Sequence, residues 1–116
     1  MTDIHLFIDD ERDQPPQFSH LVRTPAEAIQ FLEVHRADVV TISFDHDLGF
    51  DLDNMQELTS MPIMHWMAGQ NWWPEQLFVH SANPFGARRL LNFAQDHAPE
   101  EFSSGYQIVN ASVYWQ

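Results

Sequence analysis

The sequence predicts an α/β fold built on a parallel sheet, and three short apolar runs predict it. Ile4-His5-Leu6-Phe7-Ile8 ends in Asp9-Asp10, Val39-Val40-Thr41-Ile42-Ser43-Phe44 in Asp45-His46-Asp47, and Leu77-Phe78-Val79 in His80-Ser81-Ala82-Asn83. Each run is short and bounded by turn residues, the pattern of a strand covered on both faces by helices. A helical stripe lies between the first two runs and gives a βαβ rhythm. In open sheets of this kind ligands sit outside the carboxyl ends of the strands. Three strand ends rich in Asp, His, Ser and Asn are therefore expected to face one pocket.

The elements follow in order. After the first strand, Glu11 to Gln17 reads as a polar loop, because Pro15-Pro16 does not fit inside a regular element. Ser19 to Arg23 is a short strand. Thr24-Pro25-Ala26-Glu27 is a capping box with proline at the first helical position, and Ala28, Ile29, Phe31 and Leu32 supply the inward stripe to about His35. Leu48 to Thr59 reads as an irregular acidic stretch, and Ser60 to about Ala68 as a short helix closed by Gly69. Asn71 to Glu75 connects to the third rich strand. Asn83-Pro84 starts a helix to about Asp96, before Pro99, and Tyr106 to Trp115 alternates as a last strand. Met55, Met61, Met64 and Met67 with Trp66, Trp72 and Trp73 read mainly as core, with Trp72-Trp73 alternatively a stacking platform or protein-contact patch.

With 116 residues and 44% hydrophobic content, the chain is expected to be one domain over residues 1–116. Cysteine is absent, which excludes disulfides and thiolate metal sites. No leader or membrane-length apolar segment is read, so a soluble cytoplasmic protein is expected. Seventeen Asp and Glu stand against five Arg and no Lys, a net charge of -12. That balance disfavours duplex nucleic acid, whose affinity comes from neutralising phosphates. It suits a cation held among carboxylates, an acidic surface that occupies a basic partner, or simply a well-solvated surface.

If Asp9, Asp10 and Asp45 meet at neighbouring strand ends, each pair of charges about 5 Å apart repels by roughly 3 kcal/mol at an effective dielectric near 20. Two arrangements answer this. A divalent cation does so, Mg²⁺ suiting carboxylate oxygens best and Mn²⁺ being the alternative, with Asp9, Asp10, Asp45 and Asp47 as the candidate ligands. Otherwise one Asp is protonated and another faces water. The Ser81, Asn83 and helix-start cluster is a candidate phosphate seat, with Arg88 reaching the anion; the alternative for Arg88 and Arg89 is a solvated helix surface. His80 and His46 are candidates to move protons beside Asp45, and His5, His20, His35, His65 and His97 read as packing or surface residues.

These motifs resemble the receiver domains of response regulators: an acidic pair after strand one, an Asp after strand three, a Ser after strand four. Ordinary receivers also carry a lysine at the end of strand five, and this chain has none. A closer resemblance is to cyclic-phosphate processing receiver domains, at Leu6 to Arg12 with Pro15-Pro16, at Ser43 to Gly49, and at Val79 to Pro84 with Gly86. It covers most of residues 4–95. It implies a doubly wound, five-stranded parallel sheet of the receiver-like, flavodoxin-like kind, in which the loop at Glu11 to Gln17 replaces most of the first helix. It also implies a metal or phosphate pocket and a role in hydrolysing cyclic phosphates. Thr59-Ser60-Met61 and Arg88-Arg89-Leu90 depart from that family's usual residues, and the stretch before Thr59 is longer than usual.

The resulting expectation is a metal-assisted phosphoesterase acting on a small cyclic phosphate of nucleotide or RNA-end type. Asp45 as a phosphoacceptor nucleophile is a lower-ranked chemistry. The alternative is a receiver-like binding module for a phosphorylated ligand or a protein partner, without turnover. An acidic decoy is a third reading, but it has no use for His and Ser at strand ends.

Overall fold

The computed structural model describes residues 3–115. Five parallel strands form one sheet: β1 (Ile4–Ile8), β2 (His20–Val22), β3 (Val39–Phe44), β6 (Gln76–Val79) and β7 (Gln107–Ile108), in the order β2-β1-β3-β6-β7. The helices are α1 (Pro25–His35), α2 (Met61–Gly69), α3 (Pro84–His97) and the short α4 (Glu100–Ser103), and a separate antiparallel hairpin joins β4 (Asp47–Asp51) to β5 (Gln56–Thr59). Among the described residues no helix is long and apolar enough to cross a membrane.

The starts of α1, α2 and α3 are those the sequence predicts. The Thr24 hydroxyl accepts from the Glu27 N–H at 3.1 Å and the Asn83 side chain accepts from the Gly86 N–H at 3.0 Å, each satisfying a donor that a helix start leaves free. Alternation along the strands then divides the sheet. Ile4, Leu6, Ile8, Ile42, Phe44, Leu77 and Val79 are buried in one large cluster with Ala28 and Leu32 of α1, Ile63, Met64 and Met67 of α2, and Leu90 and Ala94 of α3. Phe7 belongs instead to a small second cluster with Phe18 and Tyr114. The large core thus lies on the face that α1, α2 and α3 cover. The opposite face, where a doubly wound sheet places its first and last helices, is closed over Phe7 by Phe18 of the proline-containing loop and by Tyr114 of a 3₁₀ turn over Ala111–Trp115.

Several segments differ from the sequence-based expectation. Leu48 to Thr59 is a hairpin rather than an irregular stretch; Gln56 and Glu57 face solvent, so the apolar repeat that reveals a strand is weak there. Tyr106 to Trp115 is not one strand: only Gln107 and Ile108 pair with the sheet before the chain turns into 3₁₀ conformation. The short α4 forms just after Pro99, where the sequence marks only the end of the preceding helix. The end of α2 follows a different device as well, since Asn71 at φ 52°, not Gly69, takes the left-handed position after it. Trp73 is core and Trp72 packs against it, whereas Met55 is exposed at the hairpin turn.

Candidate functional site

Backbone pairing continues one step past the strands and brings three functional residues together. Asp9 N donates to Val22 O (3.2 Å), Asp45 N to Ile8 O (2.9 Å) and His80 N to Phe44 O (2.9 Å). Asp9, Asp45 and His80 are in step with Phe7, Ser43 and Phe78, so they extend the thinly covered face rather than the helix-covered one. All three are buried, and each offers an atom within 4.8 Å of those of the other two, a spacing at which they could hold a metal ion if their hydrogen bonds were given up.

Asp9 is the hub. Its Oδ1 accepts from the backbone N–H groups of Glu11 (2.9 Å) and Arg12 (2.8 Å), and its Oδ2 accepts from Arg12 Nη1 (2.9 Å) and His80 Nε2 (2.9 Å). Burial alone raises the Asp9 pKa, but the bonds from His80, from the Arg12 and Glu11 backbone and from the Arg12 guanidinium overcome it and hold the carboxyl well below the usual carboxylate range. Arg12 also lies 3.6 Å from Asp45 Oδ2. Arg23 braces the loop by donating to the Arg12 carbonyl at 2.8 Å. The loop that stands where a first helix would begin therefore carries a cation into the pocket.

His80 stacks on Phe7 at 4.4 Å with the rings 8° from parallel. Because the Asp9 carboxylate only accepts, His80 Nε2 carries the proton in that bond. In the neutral ring, Nδ1 then accepts from the Ser43 hydroxyl (2.7 Å), which in turn accepts from the Tyr114 hydroxyl (2.8 Å). Both ring nitrogens are committed, and His80 is 1% exposed.

Asp45 is the counterpart of Asp9 with the opposite balance. Burial first, and the Asp9 charge second, push its pKa up, against the smaller opposing effects of His80, the Ser81 hydroxyl and Arg12. Its carboxyl helps to line an open cleft of about 570 Å³ with Asp10, Arg12, Asp47, Ser81 and Asn83. Asp47 Oδ1 bonds His46 Nδ1 (2.9 Å), and Asp47 Oδ2 accepts from the Asn83 amide (3.3 Å). The His46 ring does not line the cleft. It packs so tightly under Gly86 that a Cβ there would collide with its Cγ and Nδ1, which is why α3 carries glycine in its first turn.

The structure thus gathers Asp9, Asp45 and His80 in a buried layer, with Asp10, Asp47, Ser81 and Asn83 lining the cleft above it. Arg88 lies elsewhere, in a groove between α2 and α3 lined by Met61, His65, Phe85 and Phe93. Helical geometry explains the difference: Arg88 projects from the outer side of α3, while the helix start points its cap at the cleft. Arg12 and Ser43 fall within the motifs that carry the family resemblance, but the sequence assigns no role to them, nor to Tyr114 or the hairpin residues Phe50, Glu57 and Leu58 of the cleft wall. A signal for Arg12 exists, since it is one of five cations and closely follows the acidic pair.

A parallel sheet in receiver strand order, with an acidic pocket at its carboxyl edge, defines a receiver-like α/β domain. The family described as the cyclic-phosphate processing receiver domain matches residues 4–96, and the chain belongs to it. No curated protein and no solved structure matches the chain.

Proposed function

We propose that this domain hydrolyses a small cyclic phosphate ester with the help of a divalent cation, Mg²⁺ or Mn²⁺, held on the cleft side of Asp45. The observation that carries this reading is the pairing of Asp45, a buried carboxyl that resists ionisation, with donors suited to a phosphoryl group at the same cleft floor: the Arg12 guanidinium, the Ser81 hydroxyl and the start of α3. A cation relieves the charge of Asp45 and offsets the carboxylates that would otherwise repel a phosphate.

The donor set supports this choice. Asp9 already accepts four hydrogen bonds, so a cation bound to it displaces Arg12 or His80. Of the candidate aspartates, Asp10, Asp45 and Asp47 face the cleft; Asp47 is bonded to His46 and Asn83, which leaves Asp10 and Asp45 as the oxygen ligands, and hard carboxylate oxygens suit Mg²⁺. When bound, such an ion polarises the phosphoryl group. Arg12, Ser81 and Asn83 orient the non-bridging oxygens, and Asp47, backed by His46, takes the proton of the attacking water. One P–O bond forms to that water as one ring P–O bond breaks, and the proton ends on the released hydroxyl. His80 acts through Asp9 as a positioning residue, and His46 acts through Asp47.

The test is product analysis by ³¹P NMR with 2′,3′-cyclic nucleotides and glycerol cyclic phosphate, in Mg²⁺ or Mn²⁺. Wild type is expected to form monoesters, and Asp45→Asn and Asp47→Asn to lose at least about a hundredfold, the scale of a positioned acid or base. Saturable binding without product in either metal would overturn the enzyme and leave a binding module. Turnover that survives Asp45→Asn would overturn the site.

A further inference from the structure

The β4–β5 hairpin is separate from the main sheet and anchored to the core by Leu48 and Leu58, and it forms one wall of the cleft through Gly49, Phe50, Glu57 and Leu58. Phe50 and Glu57 are direct partners in the antiparallel register, so their side chains share one face of the hairpin. Phe50 is 49% exposed, with its ring at the cleft wall instead of in the core. Gly49, at φ 95°, lets the backbone turn close beside Asp10: a Cβ there would lie 3.5 Å from Asp10 Oδ2. The hairpin is thereby laid against the end of β1, and it shares the cleft lining with Arg12 and Ser81. A partly exposed aromatic ring and an exposed carboxylate stand side by side in the wall of a cleft whose lining also includes Arg12, Ser81 and Asn83.

We infer that Phe50 and Glu57 form a seat for a guanine base, so that the ester taken by the cleft is a guanosine cyclic phosphate. This inference rests on the phosphate reading of the cleft floor. Any base stacks on Phe50, since every base has a π-face. Selection comes from Glu57: a carboxylate accepts two parallel N–H bonds only from an edge with two adjacent donors. Guanine has that edge in N1–H and the 2-amino group. Adenine and cytosine set an acceptor beside their amino group, and uracil flanks its single N–H with two acceptors, each of which opposes Glu57. The cleft volume of about 570 Å³ is in the range that holds small organic ligands. A mononucleotide suits the site better than an RNA end, because a net charge of -12 repels a longer polyanion.

The experiment measures equilibrium binding by calorimetry with Mg²⁺ present, in proteins that all carry Asp47→Asn to suppress turnover and are otherwise wild type or substituted, for guanosine 2′,3′-cyclic phosphate, the uridine equivalent, glycerol cyclic phosphate and guanosine. Wild type is expected to bind the guanosine ester about tenfold or more tighter than the uridine ester. Phe50→Ala is expected to weaken both nucleotides about tenfold, the scale of a lost stacking contact, and glycerol cyclic phosphate far less. Glu57→Gln is expected to bring the guanosine and uridine esters to equal affinity while stacking persists. Both side chains are exposed, so an unchanged melting temperature shows that the variants fold. Equal wild-type affinity for the guanosine and glycerol esters, or a guanosine preference that survives Glu57→Gln, would overturn the base seat and leave the phosphate reading standing. The phosphate reading fails separately: guanosine then binds as well as its cyclic phosphate, and Asp45→Asn changes neither.

Discussion

Replacing each buried aspartate by asparagine is expected to move stability in opposite directions. At Asp45, the attraction to Arg12 across 3.6 Å is about 4.6 kcal/mol and the repulsion from Asp9 within 4.8 Å is at least about 3.5 kcal/mol at an effective dielectric near 20. These nearly cancel, the more so because Arg12 is partly solvated and its attraction is weakened. Desolvation of the charge then decides the balance, as the raised pKa records. Asp45→Asn is therefore expected to stabilise the metal-free fold by about 1 kcal/mol at pH 7, a rise of about 4 °C in melting temperature. A group whose folded pKa is raised gives its full stability below its unfolded value, about 3.9, and loses it as pH rises through the folded value. The advantage of the Asp45→Asn variant should accordingly be present at pH 7 and fade towards pH 4. Asp9→Asn turns an amide towards two donors, Arg12 Nη1 and His80 Nε2, and leaves the guanidinium without its closest partner, at a cost of about 3 kcal/mol. The sign at Asp9 is the reverse: its stability is present above about pH 3.9 and is lost as pH falls through its depressed value. Urea denaturation of both variants across pH 2 to 8 without divalent cations measures this. A loss of stability in Asp45→Asn at pH 7 would refute the electrostatic account of the pocket.

Gly86→Ala sets helix propensity, a gain of about 1 kcal/mol, against a clash with the His46 ring. Overpacking of about 1–3 kcal/mol is expected to win, and a net rise in melting temperature would show that the ring yields freely. Ser43→Ala should cost about 1–3 kcal/mol by leaving His80 Nδ1 unpartnered, and Tyr114→Phe only about 1 kcal/mol; equal losses in denaturation would contradict the direction assigned to that hydrogen-bond chain. In both variants, ¹⁵N shifts of His80 are expected to keep the Nε2–H tautomer, because Asp9 fixes it; an Nδ1–H tautomer in either would reverse the assignment.

Much of the sheet is legible in the sequence because buried parallel strands must be apolar, and β1, β3 and β6 end abruptly in polar residues. The starts of α1 and α3 are legible because Thr24-Pro25 and Asn83-Pro84 act locally. The hairpin is not, since strands that bury little beyond Leu48 carry a faint pattern. Arg12 can be located but not aimed: its contact with Asp45 depends on the register of β1 against β3, which no local signal encodes. Tyr114 is hidden for a similar reason, its partner Ser43 lying 71 residues away in the chain.

The Tyr114 hydroxyl has a mechanical consequence. The final 3₁₀ turn is fastened through Ser43 and His80 to the carboxylate that organises the opposite end of the chain. Tension applied at residue 115, or a truncation just before Tyr114, would be transmitted to Asp9 through three hydrogen bonds. The turn thus serves as a latch: releasing Tyr114 deprives the Ser43–His80–Asp9 chain beneath the cleft of its outermost partner.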